Sequence, residues 1–195
     1  PALLIEQALP QIESKANELL DQAGWVKDGD IRTKDGQELK ALFIVIAKDN
    51  FDEPAQVIQS QFRDVGISLE LTSEAEPTVF NTYNRGDQNL ANIFWWGADP
   101  ESLYSLYHSS QIEKGFNWAH YTNPEVDKLL EQGQQAINPS DRIPFYQKAQ
   151  IMIMDDAAAI PIWGKRVTIG AKKEMQGILW SQNSYPIFYN VTLNK

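Results

Sequence analysis

Leu39-Lys40-Ala41-Leu42-Phe43-Ile44-Val45-Ile46-Ala47 is an almost unbroken apolar run rich in branched side chains. A strand with one wet face alternates apolar and polar residues. A run without that alternation reads as a strand covered on both faces, as in a parallel sheet. Immediately after it, residues 53–65 set Val57, Ile58, Phe62 and Val65 on one helical face. Gly66 can cap that helix, and Ile67-Ser68-Leu69-Glu70-Leu71-Thr72 alternates as a strand with one wetter face. Strand, helix and strand at this spacing form a βαβ unit, for which a right-handed crossover is the rule. The pattern predicts a short helix over 78–83, a third strand over 91–96 and a helix over 102–107.

Before the central run, Ile12, Ala16, Leu19, Leu20 and Ala23 recur at helical spacing, so a helix is expected over 11–23. Gly24 can take the left-handed conformation that ends it, with Trp25 folding back on the last turn. Asp28-Gly29 and Asp35-Gly36 are turn signals. Beyond the βαβ unit, Asn123-Pro124 starts a helix whose buried stripe is expected to be Val126, Leu129, Leu130, Gly133, Ala136 and Ile137. Asn138-Pro139 breaks it, and Ser140 or Asp141 is the expected cap of the next helix. That helix, running to about Met154, is apolar around most of its circumference and is expected to be deeply packed. From Ile160 onward the pattern turns to short β segments. The fold class is α/β, with a mixed, partly parallel sheet flanked by helices.

Composition narrows the function classes. The chain has 195 residues, a hydrophobic fraction of 43% and a net charge of -9. Phosphate contacts need clustered Lys and Arg, so nucleic acid is disfavoured, as is an anionic membrane surface. There are no cysteines and two histidines, His108 and His120, which are not at helical ligand spacing. Thiolate and paired-His metal sites therefore have no support, and no metal or cofactor is expected. No Gly-x-Ser-x-Gly elbow and no glycine-rich phosphate loop are present, so hydrolase and nucleotide readings have none either. Asp155-Asp156 diverge by roughly 100° on a helix and cannot converge on one substrate atom. No stretch approaches the ~20 apolar residues of a membrane span.

The stretch with the most chemistry is Ile93-Phe94-Trp95-Trp96-Gly97-Ala98-Asp99-Pro100-Glu101-Ser102, followed by Gly115-Phe116-Asn117-Trp118-Ala119-His120-Tyr121-Thr122-Asn123-Pro124. An aromatic run stops at a Gly, a carboxylate and a Pro, which reads as a strand delivering an acidic loop to a sheet edge. Aromatic faces beside one carboxylate suit an organic ligand that carries an amine. In a regular strand, Trp95 and Trp96 point to opposite faces.

This stretch resembles the C-terminal lobe of the family 5 extracellular solute-binding proteins, the oligopeptide- and dipeptide-binding receptors of ABC importers. Three other stretches resemble the family in the same order: Lys15 to Trp25, Asp28 to Gly36, and Asp155-Asp156-Ala157-Ala158-Ala159-Ile160-Pro161-Ile162. The resemblance implies a lobe of the periplasmic-binding-protein type II kind, with residues 1–164 as the C-terminal ligand-binding lobe. It implies that residues 165–195 are a return segment belonging with a missing N-terminal lobe. Trp180, Tyr185, Phe188 and Tyr189 would then lack their cover, and would pack locally, pair with another copy or stay loosely ordered. The absence of an initiating Met and of a signal peptide fits an excised segment.

By the same resemblance the activity is binding, not catalysis. A peptide or other small organic solute is held between two lobes and delivered to an ABC permease in the periplasm or outside the cell. A lipid anchor, if there is one, would sit on the missing N-terminus. Asp99 is implied to receive the ligand's α-ammonium, although an Asp before Pro also suits a helix cap, and the residues leave both roles open. Trp96, nearer the acidic loop, is the aromatic assigned to the cleft, although large aromatics at strand ends more often serve core or interlobe packing. Asn117, Trp118 and Tyr121 lie in a loop that approaches the ligand in the family; as residues alone they equally suit a loop ordered by its own hydrogen bonds, with Tyr121 packed beneath the helix that starts at Pro124. An oligosaccharide receptor is the alternative ligand class, since six Trp residues would suit stacking on sugars. An unrelated α/β enzyme is the third.

Overall fold

A computed structural model describes residues 2–48, 51–95, 97, 99–162, 164, 167–181 and 185–193, with side chains from Pro10 onward. The chain falls into two compact units, residues 1–93 and 94–195.

The first unit opens with helix α1 (Ala2–Gln22) and an antiparallel meander of β1 (Val26–Lys27), β2 (Arg32–Lys34) and β3 (Gln37–Glu38). Then come β4 (Lys40–Ile46), α2 (Asp52–Asp64), β5 (Ser68–Glu74), α3 (Thr78–Arg85) and β6 (Leu90–Ala91). The predicted central run is β4, and it lies between β5 and β6, parallel to both. Its burial follows from that position. Phe43 and Val45 pack with Ala55 of α2 and Leu69 of β5, while Ile44 and Ile46 are buried as well. Tyr83 of α3 is fully buried and donates to the Ile44 carbonyl at 2.8 Å; burial pushes its phenol well above the usual tyrosine range.

Both helix ends expected at glycine are there. Gly24 and Gly66 have φ of 85° and 86°, and the next residue's N–H returns to the last turn, Trp25 to Leu20 and Ile67 to Phe62, each at 2.9 Å. Arg32 ties these two ends together. Buried to 2% exposure, its guanidinium donates to the Val65 carbonyl at 2.8 Å, to Asn17 Oδ1 at 2.7 Å, and to Asp21 and the Trp25 carbonyl.

The third strand is shorter than the 91–96 expected. Its ladder to β4 covers only Leu90 and Ala91. Asparagine side chains replace carbonyls beyond it. Asn89 Oδ1 accepts the Leu42 N–H and Asn92 Oδ1 the Ile46 N–H, each at 2.8 Å. Phe94 and Trp95, expected in this strand, therefore lie beyond its end.

The second unit contains α4 (Ser102–Tyr107), a 3₁₀ turn (Ser109–Gln111), α5 (Pro124–Gln135) and α6 (Pro139–Asp155). Four two-residue strands follow: β7 (Met175–Gln176), β8 (Leu179–Trp180), β9 (Pro186–Ile187) and β10 (Thr192–Leu193). They form two antiparallel pairs, β7 with β10 and β8 with β9. The core is the α5–α6 hairpin, where Val126, Leu129 and Leu130 meet Tyr146, Ala149 and Ile153, with Leu103, Tyr104 and Tyr107 of α4 against them. Helix α5 starts at Asn123-Pro124 as expected, and Asn123 caps it, its Oδ1 accepting from the Glu125 and Val126 N–H groups.

Three expectations fail here. Ile137 is 95% exposed because α5 ends at Gln135, before the stripe reaches it. The cap position of α6 is Asn138, and neither Ser140 nor Asp141; its side chain makes no capping bond to the helix backbone, and its Nδ2 donates to Asp141 Oδ2 at 3.1 Å. And α6 is packed on one side only: α5 and α4 cover Tyr146, Ala149 and Ile153, whereas Ile143, Ile151 and Met154 are 51%, 61% and 41% exposed.

Candidate functional site

The acidic loop enters α4 through Asp99. Proline at 100 has no N–H, so the first free donor of the turn is Glu101 N–H, and Asp99 Oδ1 accepts it at 2.9 Å. The Asp99 carbonyl accepts the Ser102 N–H at 3.0 Å. The side chain thus caps the turn and remains 61% exposed. The same Oδ1 receives Arg142 Nη2 at 3.3 Å. Among the described residues no hydrogen bond reaches Oδ2 of Asp99.

Arg142 comes from the first turns of α6 and is held from behind. Its Nε donates to the Gly133 carbonyl and its Nη2 to the Tyr146 hydroxyl, both at 3.2 Å. The guanidinium also lies over the Tyr146 ring, 5.5 Å from its centroid. The ring can sit there because residue 133 is glycine: a Cβ would stand 2.8 Å from Cζ of Tyr146. Sequence reasoning missed Arg142, and no local signal marks a residue that returns to a partner 43 positions earlier.

The loop over residues 108–123 is a hydrogen-bonded knot. Asn117 is 1% exposed; its Nδ2 donates to the carbonyls of His108 at 3.1 Å and Tyr121 at 2.8 Å, and its Oδ1 accepts the Tyr121 N–H at 3.0 Å. Trp118 is 9% exposed, edge-on to Phe116 at 5.5 Å, and Phe116 in turn meets Trp95 edge-on at 5.1 Å. Trp95 belongs to no strand and is exposed; Trp96 lies outside the described residues. The surface of this cluster open to solvent belongs to Trp95 and Phe116, at 36% and 45%. The arrangement brings Trp118 to that aromatic cluster, while Asn117 faces the protein's own backbone.

Tyr121 packs against the α5–α6 core and donates its hydroxyl to Asp156, which also accepts Asn123 Nδ2 at 2.9 Å. Burial, and then this bond, push the Tyr121 phenol up to about 12. The bonds from Tyr121 and Asn123 hold Asp156 below the usual carboxylate range. So Asp156 does more than meet water at the helix end: it fastens the loop to α6. His108 is buried beside the same loop, stacked on Tyr104 at 4.2 Å. Its Nδ1 accepts the Ser110 N–H at 3.1 Å, which leaves the proton on Nε2, 3.5 Å from Glu131 Oε1. Asp127 accepts both the N–H and the hydroxyl of Ser109.

Comparison with known proteins follows the same outline. The model of the bacterial extracellular solute-binding proteins, family 5, matches residues 7–115, more than half of the chain. The chain is 29% identical over 150 residues to the probable D,D-dipeptide-binding periplasmic protein DdpA of Escherichia coli (strain K12), a match covering 75% of this chain and 29% of that protein. It is 26% identical over 170 residues to the nickel-binding periplasmic protein of the same strain, covering 84% of this chain and 32% of that one. In three dimensions it is similar to the oligopeptide-binding protein AppA of Bacillus subtilis, solved with a nonapeptide, at a TM-score of 0.69 and 22% identity over 93% of this chain and 37% of that chain. The likeness to AppA bears on fold alone. The chain thus spans about a third or less of the relatives it matches.

Proposed function

From the membership of this chain in the family 5 bacterial extracellular solute-binding proteins, we propose that it is one lobe of a two-lobe ABC-importer receptor that binds peptides through their free amino end. The observation that carries this is Asp99: an exposed carboxylate in the acidic loop, with one oxygen engaged by Glu101 and Arg142. An ammonium offers three donors and no acceptor, so a carboxylate with free lone pairs is its natural partner. Trp95, Phe116 and Trp118 supply aromatic surface in the same unit. Peptide-binding names among the relatives agree.

In this reading the ligand is enclosed when the second lobe closes on it, and the closed form docks on the permease. The site residues are Asp99, Trp96, Trp118, Tyr121 and Asn117, the last two acting through the shape of the loop. Residues 165–195 pack on the other lobe. The exposure of Trp180, Tyr185, Phe188 and Tyr189, at 45%, 61%, 55% and 94%, supports this. The compartment is periplasmic or extracellular, as the relatives' names suggest.

The test is calorimetry on the receptor with both lobes present, comparing a short peptide with its N-acetylated form. Loss of a charge-assisted bond predicts about tenfold to a hundredfold weaker binding on acetylation, and the same loss in Asp99→Asn. Equal binding of both forms would overturn the amine assignment. A second reading, a metal chelate as ligand, draws on the nickel-binding relative. A thermal-shift panel of peptides, nickel with free histidine, and cello-oligosaccharides separates these ligand classes.

A further inference from the structure

We propose that Arg142 is a specificity-determining partner of Asp99, and that the two together read an ammonium group separated by one carbon from a carbonyl group, the N-terminal end of a peptide or amino acid. The inference rests on Asp99 as the amine acceptor and adds a second contact to it.

The geometry is built for presentation. Oδ1 of Asp99 carries both the Glu101 N–H and Arg142 Nη2, so the carboxylate is held at one corner; among the described residues no hydrogen bond uses Oδ2, and the side chain is 61% exposed. A guanidinium has five N–H donors in a fixed plane. On Arg142, Nε is used by the Gly133 carbonyl, and Nη2 by Asp99 and the Tyr146 hydroxyl. Among the described residues no hydrogen bond uses the two donors of Nη1, while the side chain is 25% exposed. The plane is fixed by the Tyr146 ring beneath it, which rests against Gly133.

Charge then sets the selectivity. A bare amine approaching Oδ2 meets the attraction of Asp99 and the repulsion of Arg142. The guanidinium, bonded to the other oxygen of the same carboxylate, cancels part of that attraction. A ligand whose carbonyl oxygen reaches Nη1 recovers the difference, because the cation that repels its ammonium attracts its carbonyl dipole. The ammonium and the first carbonyl of a peptide share one α-carbon, so the two contacts are of the size of one Asp–Arg pair. Simple alkylamines cannot make the second contact.

The experiment uses the two-lobe receptor and three ligands: a tripeptide, its N-acetylated form, and an analogue in which a trans-alkene replaces the first amide bond, so that the carbonyl oxygen is lost without creating a new basic amine. We expect Arg142→Gln to weaken the tripeptide about tenfold or more and to leave the alkene analogue within about threefold, so that discrimination between the two collapses. Arg142→Lys keeps the charge but loses the planar fork and restores only part of the discrimination. Should Arg142→Gln disturb the fold, Tyr146→Phe frees the guanidinium without removing it and is expected to reduce the discrimination severalfold. Unchanged discrimination in Arg142→Gln or Tyr146→Phe, with Asp99→Asn still abolishing amine preference, would overturn the role of Arg142 alone. If Asp99→Asn leaves amine preference intact, the amine reading fails and this inference with it.

Discussion

Asn117 shows how a residue that looks like a ligand contact can be spent on the loop itself. Its amide makes three bonds to backbone within the knot, and its exposure is 1%. Asn117→Ala would leave two carbonyls and one N–H unsatisfied in a buried place, for a loss of about 3 kcal/mol. Chemical denaturation of the chain measures this. Tyr121 and Asp156 make a second prediction. The Tyr121 phenol is pushed up to about 12 by burial and by its bond to Asp156. Its folded pKa lies above the ordinary value of 10.0, so the associated stability is complete below pH 10.0 and is lost as pH rises toward about 12. Asp156 is shifted down, so its contribution is complete above the ordinary 3.8 and is lost as pH falls below it through the folded value. Ultraviolet titration of the phenolate in wild type and Tyr121→Phe should show one late-ionising tyrosine missing in the variant. None of this was readable from Asn117 or Tyr121 as residue types, since the same side chains serve a cleft or a turn and only their partners decide.

At the scale of elements, the helix and strand that can be read from short-range periodicity are found where expected. The run 39–47 is β4, 53–65 is α2, and 67–72 is β5, each within two residues at either end. What the period missed was where pairing stops. Trp95 continues the apolar pattern, but the ladder ends at Ala91, because Asn92 spends its side chain on Ile46 N–H in place of a further strand bond. The same holds for α6, whose periodicity is blurred because apolar residues occupy both sides, while the hairpin partner covers only one. Substitution should separate the sides. Ile153→Ala is expected to cost about 3 kcal/mol, whereas Ile151→Gln should fall within about 0.5 kcal/mol, both by thermal or urea unfolding. Gly133→Ala belongs to this scale too. Its Cβ would meet the Tyr146 ring at 2.8 Å, so the hairpin must open or the ring must turn, at about 2 kcal/mol.

For the molecule as a whole, charge and composition spoke against nucleic acid and thiolate metal chemistry, and the family membership agrees with a binding role. The apolar surface left in the second unit is considerable: Ile143, Ile151 and Met154 on α6, and Phe188 and Tyr189 near the end of the chain. If the other lobe supplies half of the ligand's contacts, this chain alone cannot enclose a peptide. Calorimetry of the 195-residue chain with a short peptide should therefore show no measurable heat of binding, and tight binding would count against a two-lobe mechanism.

Sequence alone determined the order of helices and strands, the parallel character of the central strand, the glycine-ended helices and the family. These are local or composition-borne properties, set by side-chain period, φ preference and burial demand within a few residues of one another. Tertiary structure alone decided that Asp99 faces Arg142, that Asn117 turns inward and that α6 is covered on one side. Those facts join residues far apart along the chain, as Asp99 and Arg142 are by 43 positions, and their free energy exists only once the intervening helices have packed.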